Sequence, residues 1–375
     1  MASSVDVWTL LIIVSLAHSL FTGVLLLLRK EHKRREGKWL LMLLLGLFWL
    51  QLEFLSIRWP FDFGVSIFYG TRHGSWLLIG PVFFFYIKSL LGWEVQRSAY
   101  IYLLPFLLFT IVLPLLLNDF LSFRQVHYGM LTPFDQRPDT ISFWQYVYAG
   151  VFIFQFFYLA FFVLQSRKSI ASYKQSLQQY YAQLEDRKIR WLKMLWLGML
   201  LIVVMASLFL VILFFTEIYR RHMDYLYVIP TSILIYAISY QLFSTTFESP
   251  IVNPKYQKSG LKSREAEAYK NRLQQLIKEE KLFLKNGLKL NELAELLKIP
   301  NYQLSEVLNQ HMHTTFFDLI NGYRIEEAKK QIKANPQFTL LQIAHDSGFN
   351  NKTSFVNSFK RFEGITPSQY LKKLR

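Results

Sequence analysis

At 375 residues with 52% hydrophobic and 17% aromatic content, the chain is long enough for two domains, and its 34 Phe and 21 Tyr are too many for one soluble core. The net charge of +16 divides evenly, since residues 1 to 243 and 244 to 375 each hold 21 Lys and Arg against 13 Asp and Glu. The absence of cysteine excludes disulfide frameworks, thiolate zinc sites and cysteine nucleophiles.

Seven apolar runs of about spanning length lie at about 8–28, 39–57, 76–91, 100–117, 143–163, 191–215 and 225–243, and predict a seven-helix transmembrane bundle over residues 1–243. The third run is short, but Trp76 and Trp93 flank it as interface anchors and Lys88 can snorkel to the headgroups. The first run is not a cleavable signal peptide: Asp6 precedes it and the basic stretch from Arg29 to Arg35 follows it, which places the N-terminus outside. Alternating from there, the inner loops hold 15 Lys and Arg and the outer loops six. That bias supports an odd number of spans, with everything after residue 244 in the cytoplasm.

Three polar side chains fall inside the expected spans: His18 in the first, Glu53 toward the outer end of the second, and Gln155 in the fifth. Ionisable groups at membrane depth cost about 2.5–3.5 kcal/mol on insertion scales, so such groups face a partner or a cavity. Two accounts stay open. Either Glu53 pairs with Arg58 and His18 is a neutral imidazole bonded to a neighbouring helix, or these residues sense a small molecule, a proton or another signal at the membrane. Pro81, Pro105, Pro114 and Pro230 are weak markers of kinks.

Residues 244–262 contain two prolines and a glycine and lack periodicity, so they predict a linker. A connecting helix follows over 263–285, with Ser263 as cap, Glu265 and Glu267 early, and a stripe of Ala266, Tyr269, Leu273, Leu276, Glu280 and Phe283. The stripe fits either a short dimer seam or packing on the next domain.

From about 286 the pattern is all-helical. Leu290, Leu293, Ala294 and Leu297 form one apolar face, Ile299-Pro300-Asn301 breaks it, and Leu304, Val307 and Leu308 resume it, in a helix-turn-helix outline. Thr315-Phe316-Phe317-Asp318 is a capping box for a longer helix carrying Ile320, Tyr323, Ile325, Ala328 and Ile332. Thr339 caps the next helix, Gly348 supplies a turn, and Asn351 caps a last helix whose inner face is expected to be Phe355, Phe359 and Phe362. Its outer face holds Lys352, Thr353, Val356, Asn357 and Lys360, residue types that reach base edges and phosphates.

These residues carry a resemblance to the AraC/XylS family of bacterial transcription activators, whose DNA-binding domain joins two helix-turn-helix units by one long helix. The match runs from about 288 to 375 through Leu293-Ala294, Leu304-Ser305, Tyr323-Arg324-Ile325-Glu326-Glu327-Ala328, Ile343-Ala344, Gly348-Phe349, Phe355, Phe359-Lys360, Gly364, Thr366-Pro367 and Tyr370. The whole chain resembles the membrane-anchored members in layout. The resemblance implies that Lys352, Thr353 and Asn357 contact bases in the second unit, with Val356, Lys360 and Arg361 beside them, and that Tyr302, Ser305 and Glu306 do so in the first. Three positions depart from the family pattern: Glu306 replaces a basic residue, His313 a turn glycine, and Lys289 a Ser or Thr cap. An acidic Glu306 repels phosphate, although it can accept from a cytosine amino group.

The fold expected is all-α: a transmembrane bundle, a linker at 244–262, a connecting helix at 263–285 and a DNA-binding domain at 286–375. The function expected is a bacterial inner-membrane regulator of transcription, with double-stranded DNA and membrane lipid as partners and with RNA polymerase, a second copy and an unidentified signal as further ones. No His-Glu-x-x-His zinc spacing, phosphate loop or paired intramembrane carboxylate is present, so neither catalysis nor a metal or cofactor is expected. The rival readings are an anchor that only holds DNA or polymerase at the membrane, and a membrane enzyme or transporter with a DNA-binding appendage.

Overall fold

A computed structural model describes residues 7–29, 33–58, 72–112, 143–181, 187–215, 226, 228–244, 261, 263–335 and 337–374. Among the described residues the protein is all-helical, and the chain divides into two compact units, one of Met1–Ala171 with Arg187–Pro250 and one of Ser172–Asp186 with Ile251–Arg375. The linker expected at 244–262 and the longest expected outer loop lie almost wholly outside the described residues.

The first unit contains α1 (Val7–Leu28), α2 (Arg35–Arg58), α3 (Arg72–Leu90), the short α4 (Leu104–Leu107), most of α5 (Phe143–Leu177), α6 (Arg187–Phe215) and α7 (Val228–Ser244). Its burial pattern departs from that of a water-soluble bundle: the apolar core, Leu47, Phe83 and Phe85 included, also takes in polar side chains, and large apolar side chains stand on the outside. Ser19, Thr22, Gln51, Ser232 and Ser239 are buried, while Leu20, Phe157 and Leu197 are 58%, 70% and 56% exposed. The buried polar groups tie helices together: Ser19 Oγ donates to the Leu44 carbonyl at 3.3 Å, Gln51 Nε2 to Ser232 Oγ at 3.2 Å, and Trp196 Nε1 to the Val163 carbonyl at 2.8 Å, while Thr22 bonds Ser239. Gly80 lets α3 and α5 approach closely, since a Cβ there would stand 3.2 Å from the Leu159 Cα. Polar bonds and small residues at helix contacts are how helices associate where lipid removes the hydrophobic drive.

The expectation of seven spans needs correction. Three described helices are long and apolar enough to cross a membrane: Thr9–Leu28, Gly150–Leu177 and Ile189–Ile212. Charge shortens the apolar part of α2, which opens on Arg35, Glu36 and Lys38. The apolar stretches Gly74–Leu90 and Val228–Leu242 are shorter. The run expected at 100–117 does not form one α-helix; around Pro105 it divides into a 3-10 segment, Arg97–Leu103, then α4, then a π-helical segment, Leu108–Val112.

The second unit holds α8 (Ser263–Glu279), α9 (Leu290–Leu297), α10 (Asn301–Glu306), α11 (Phe316–Ala334), α12 (Leu340–Asp346), α13 (Lys352–Glu363) and α14 (Pro367–Leu374). Leu273 and Ile277 of α8 are fully buried in the same apolar cluster as Leu293, Leu304, Phe316 and Ile320, so its stripe is occupied by packing on the first helix-turn-helix unit. Ile277, not Glu280, continues that stripe, and Glu280 is exposed. A second cluster joins Ile325, Ala328 and Ile332 of α11 to Ile343, Phe349, Phe355 and Phe359. The helix α11 therefore serves both cores.

Arg324 stands where the two cores meet. It is fully buried, its Nε donates to the Phe283 carbonyl at 2.6 Å, its Nη2 donates to the Lys285 carbonyl at 2.8 Å, and its guanidinium lies 5.6 Å from the Phe349 ring centre. Burial lowers its pKa to about 10, still far above neutrality, so it remains a cation. Gly348 packs against the same group. At φ +88° a side chain is strained, and a Cβ would stand 2.6 Å from the Phe283 carbonyl oxygen and 3.0 Å from Arg324 Nε.

Gly348→Ala should therefore destabilise the second unit by about 2–4 kcal/mol, combining left-handed strain with overpacking. Amide hydrogen exchange of the full chain in detergent checks this, with faster exchange expected across 316–363 and unchanged exchange in α1.

Candidate nucleic-acid interface

Side-chain caps build the second helix-turn-helix unit locally. Thr339 Oγ1 accepts the Gln342 amide at 3.2 Å to start α12, and Asn351 Oδ1 accepts the Ser354 amide at 2.8 Å to start α13. Gly348 lies in the turn between them, and Gly364 ends α13 at φ +73°. Phe355, Ser358 and Phe359 face inward; Phe355 and Phe359 meet edge to face at 5.6 Å, and Phe359 meets Tyr370 at 5.3 Å.

This orientation sets what the opposite face presents. Lys352, Thr353, Asn357 and Lys360 are all exposed, and their side chains share one face of a rigid, capped helix. Val356 is half-buried against the second core. Arg361 is exposed but bound: it pairs with Asp318 at 2.9 Å and lies 5.7 Å from the Phe317 ring centre, joining α13 to the start of α11. Phe362, expected on the inner face, is 40% exposed. Three residues beyond Phe359 a helix turns the side chain to the margin of the buried face, and Tyr370 closes the core in its place. Lys329 reaches Glu326 and Glu363, each at 2.9 Å, and these hydrogen bonds, Glu326 first, raise its pKa.

The first unit is built differently. Thr315 Oγ1 accepts the Asp318 amide at 3.1 Å, the expected cap of α11. Lys289 provides no side-chain cap for α9, and α10 spans only six residues before a π-helical segment, Val307–His311. His313 adopts φ +50°, the left-handed conformation for which glycine is favoured. Tyr302 is exposed and Glu306 half-buried. Ser305 is 2% exposed and points inward, where its Oγ accepts from Asn309 Nδ2 at 3.2 Å. The outward polar face expected of the first unit is thus reduced to Tyr302 and the edge of Glu306.

Sequence inspection gave Arg324 no role, although a signal was present. Ile320, Arg324, Ala328 and Ile332 recur every fourth residue, so the arginine lies on the buried stripe of α11.

Two of the three membrane candidates, His18 and Gln155, have side chains among the described residues. His18 is half-buried in α1, with its ring 4.5 Å from that of Tyr236. Gln155 is 1% exposed in α5, and neither of its amide atoms has a hydrogen-bond partner among the described residues. The Glu53 side chain lies outside the described residues. A cleft of about 630 Å³ in this unit is lined instead by Arg35, Lys38, Trp39, Glu94, Arg97 and Tyr100 among others. Among the described residues no three His, Asp or Glu side chains cluster as metal ligands.

Residues 293–373 match the helix-turn-helix domain family, of the AraC type. An uncharacterized HTH-type transcriptional regulator of Bacillus subtilis (strain 168), YtdP, is 35% identical over 89 residues, which is 24% of this chain and 11% of that protein. A similarly described regulator of Staphylococcus aureus (strain COL) is 33% identical over 89 residues, 24% of this chain and 12% of its own. The transcriptional regulatory protein YesN of Bacillus subtilis (strain 168) is 32% identical over 75 residues, 20% of each chain. The chain thus spans only 11–20% of the length of these curated relatives, and all of the likeness to the domain family is C-terminal. No solved structure matches the chain.

Because Lys352 and Asn357 are exposed, replacing either by Ala should leave folding stability within about 0.5 kcal/mol. Asp318→Ala, which removes the partner of Arg361 and the acceptor of the Thr315 hydroxyl at the start of α11, should cost about 1–2 kcal/mol. Amide exchange across α11 and α13 distinguishes the two outcomes.

Proposed function

We propose that the protein is a membrane-held, sequence-specific DNA-binding regulator of transcription. The observation that carries this is the free face of α13: Lys352, Thr353, Asn357 and Lys360 exposed together on a capped helix of a helix-turn-helix domain. In this reading Lys352 and Asn357 contact base edges, Thr353 assists, and Lys360 holds phosphate. Residues 244–375, with 21 basic against 13 acidic side chains, supply the long-range attraction for DNA. Arg361 serves the head by holding α13 to α11, and the first unit contributes less because Ser305 is buried.

Membrane placement is supported by three helices of spanning length, by the first unit's exposed apolar side chains and by the polar hydrogen bonds between its helices. The basic stretch from Arg29 to Arg35 directly after the first spanning helix supports an outer N-terminus, and an odd number of spans then leaves the head in the cytoplasm with the DNA. Gln155 supports a sensing role for the bundle. A buried amide with all its hydrogen-bonding capacity unmet is costly in an apolar interior, and a polar ligand or water would relieve that cost.

Two outcomes are expected. The protein should remain in the membrane pellet after alkaline washing, and a reporter enzyme active only in the cytoplasm should work when fused after Phe247; release into the supernatant or a silent fusion would reject the placement. DNA binding should fall steeply between low and moderate salt. On sequences selected by the protein, Lys352→Ala and Asn357→Ala should each lose about 1–3 kcal/mol of discrimination, while Lys360→Ala weakens selected and random DNA alike. Equal losses on both DNAs for all three variants would overturn the assignment of α13.

A further inference from the structure

The first helix-turn-helix unit lacks the usual side-chain cap at Lys289, yet the first amide of α9 is not left bare. The Leu290 N–H, the first of α9, donates to the Tyr180 carbonyl at 3.1 Å. The Phe317 N–H, in the first turn of α11, donates to the Gln178 carbonyl at 3.0 Å. Tyr181 forms an antiparallel bridge with Lys289, and the Tyr180 side chain packs against the apolar cluster of Leu273, Leu293 and Phe316. These partners come from residues more than a hundred positions earlier in the chain, directly after α5, and segment 172–186 belongs to the same compact unit as the head.

The geometry of the turn is directional. Its own amides close back on α5, with Gln179 N–H donating to the Ser176 carbonyl at 3.1 Å and both Tyr180 and Tyr181 N–H groups to the Leu177 carbonyl at 3.0 Å. Its carbonyls point forward to two helix N-termini, whose unpaired donors carry partial positive charge. The turn is therefore held firmly to the end of α5 on one side and caps α9 and α11 on the other. Residues 143–171 of that same continuous helix belong to the first unit.

We propose that Gln178–Tyr181 is an intramolecular clamp that completes the first helix-turn-helix unit, and that α5 controls whether the clamp is seated. Seated, it caps α9 and α11 and fixes α10 between them. Unseated, it leaves two backbone donors without their partners and exposes the side of the cluster that Tyr180 covers, so the first unit loosens while the second, capped by its own Thr339 and Asn351, stays intact. A signal in the bundle then switches the head between reading DNA with two units and with one. The DNA consequence rests on the function proposed above; the docking and its control of the first unit do not.

The chain has no cysteine, which permits a clean test in the full-length protein in native membranes. The antiparallel bridge puts the Tyr181 and Lys289 backbones within disulfide range, so the double variant Tyr181→Cys/Lys289→Cys should crosslink on mild oxidation while either single variant does not. In Tyr180→Ala the Leu290 and Phe317 amides should exchange roughly tenfold faster or more, with α12 and α13 unchanged. Selection from a random duplex DNA library should give a two-part motif with the crosslinked protein and a shortened motif with Tyr180→Ala. Failure to crosslink overturns the docking. Crosslinking with unchanged exchange in Tyr180→Ala, or with the same motif from both proteins, overturns the control. If no protein, wild type included, enriches any sequence, the DNA-binding function fails, and the clamp is judged by crosslinking and exchange alone.

Discussion

A buried cation organises the DNA-binding end of this protein. Arg324 occupies a place where an apolar residue would continue the stripe of α11; its Nε and Nη2 donate to the carbonyls of Phe283 and Lys285 and the face of Phe349 lies beside it, while its buried Nη1 meets no acceptor among the described residues. Removing a guanidinium from water is costly unless its donors find acceptors, so the segment 282–285 and the turn at 348–349 must both come to α11. The left-handed Gly348 is a consequence, because only a residue without a Cβ fits between the Phe283 carbonyl and the guanidinium. Two cores that would otherwise be separate apolar clusters share one polar joint. The charge persists at any physiological pH, so the joint is structural rather than switchable.

The two helix-turn-helix units solve the same problem in different ways. Every helix starts with amides that its own backbone cannot satisfy. In the second unit nearby side chains do so, Thr339 for α12 and Asn351 for α13, and the unit is complete within its own sequence. In the first unit α11 has Thr315, but α9 begins at Lys289 without a side-chain cap and takes its acceptor from a distant turn. A left-handed His313 and a buried Ser305 add to the contrast. One unit is built for autonomy, the other for dependence on the rest of the chain.

The first unit of the chain applies another economy. Its core holds leucine and phenylalanine, Leu43, Leu47, Phe83 and Phe85 among them, together with serine, threonine and glutamine hydrogen bonds, while other large apolar side chains such as Leu20 and Phe157 face outward. In water the outward-facing apolar side chains would gain nothing from folding; against lipid their exposure costs nothing, and the interior bonds add specificity to helix pairing. Among the described residues Ser15 Oγ and Gln51 Oε1 are also buried without a partner, but Gln155 differs in that both of its amide atoms are unmet.

The sequence by itself determined several features that depend on near neighbours, although helical spacing misplaced Phe362 and Glu280. The two-part organisation followed from the contrast in apolar content, and the caps at Thr315, Thr339 and Asn351 and the exposed quartet on α13 followed from spacing within one helix. Those signals are local: a cap reaches three residues, and a helical face repeats every three or four. Span counting was less secure, because apolar composition does not specify whether Pro105 or the charges at Arg35 and Lys38 will shorten a helix. Only the tertiary structure decided what joins residues distant in sequence. It turned Ser305 inward, bound Arg361 to Asp318, assigned the stripe of α8 to the first core, set Arg324 against the Phe283 carbonyl 41 residues away, and brought Tyr180 to the start of α9. Backbone carbonyls make several of these contacts, and every residue but proline offers the same carbonyl and amide, so no side-chain pattern in the sequence could have announced them.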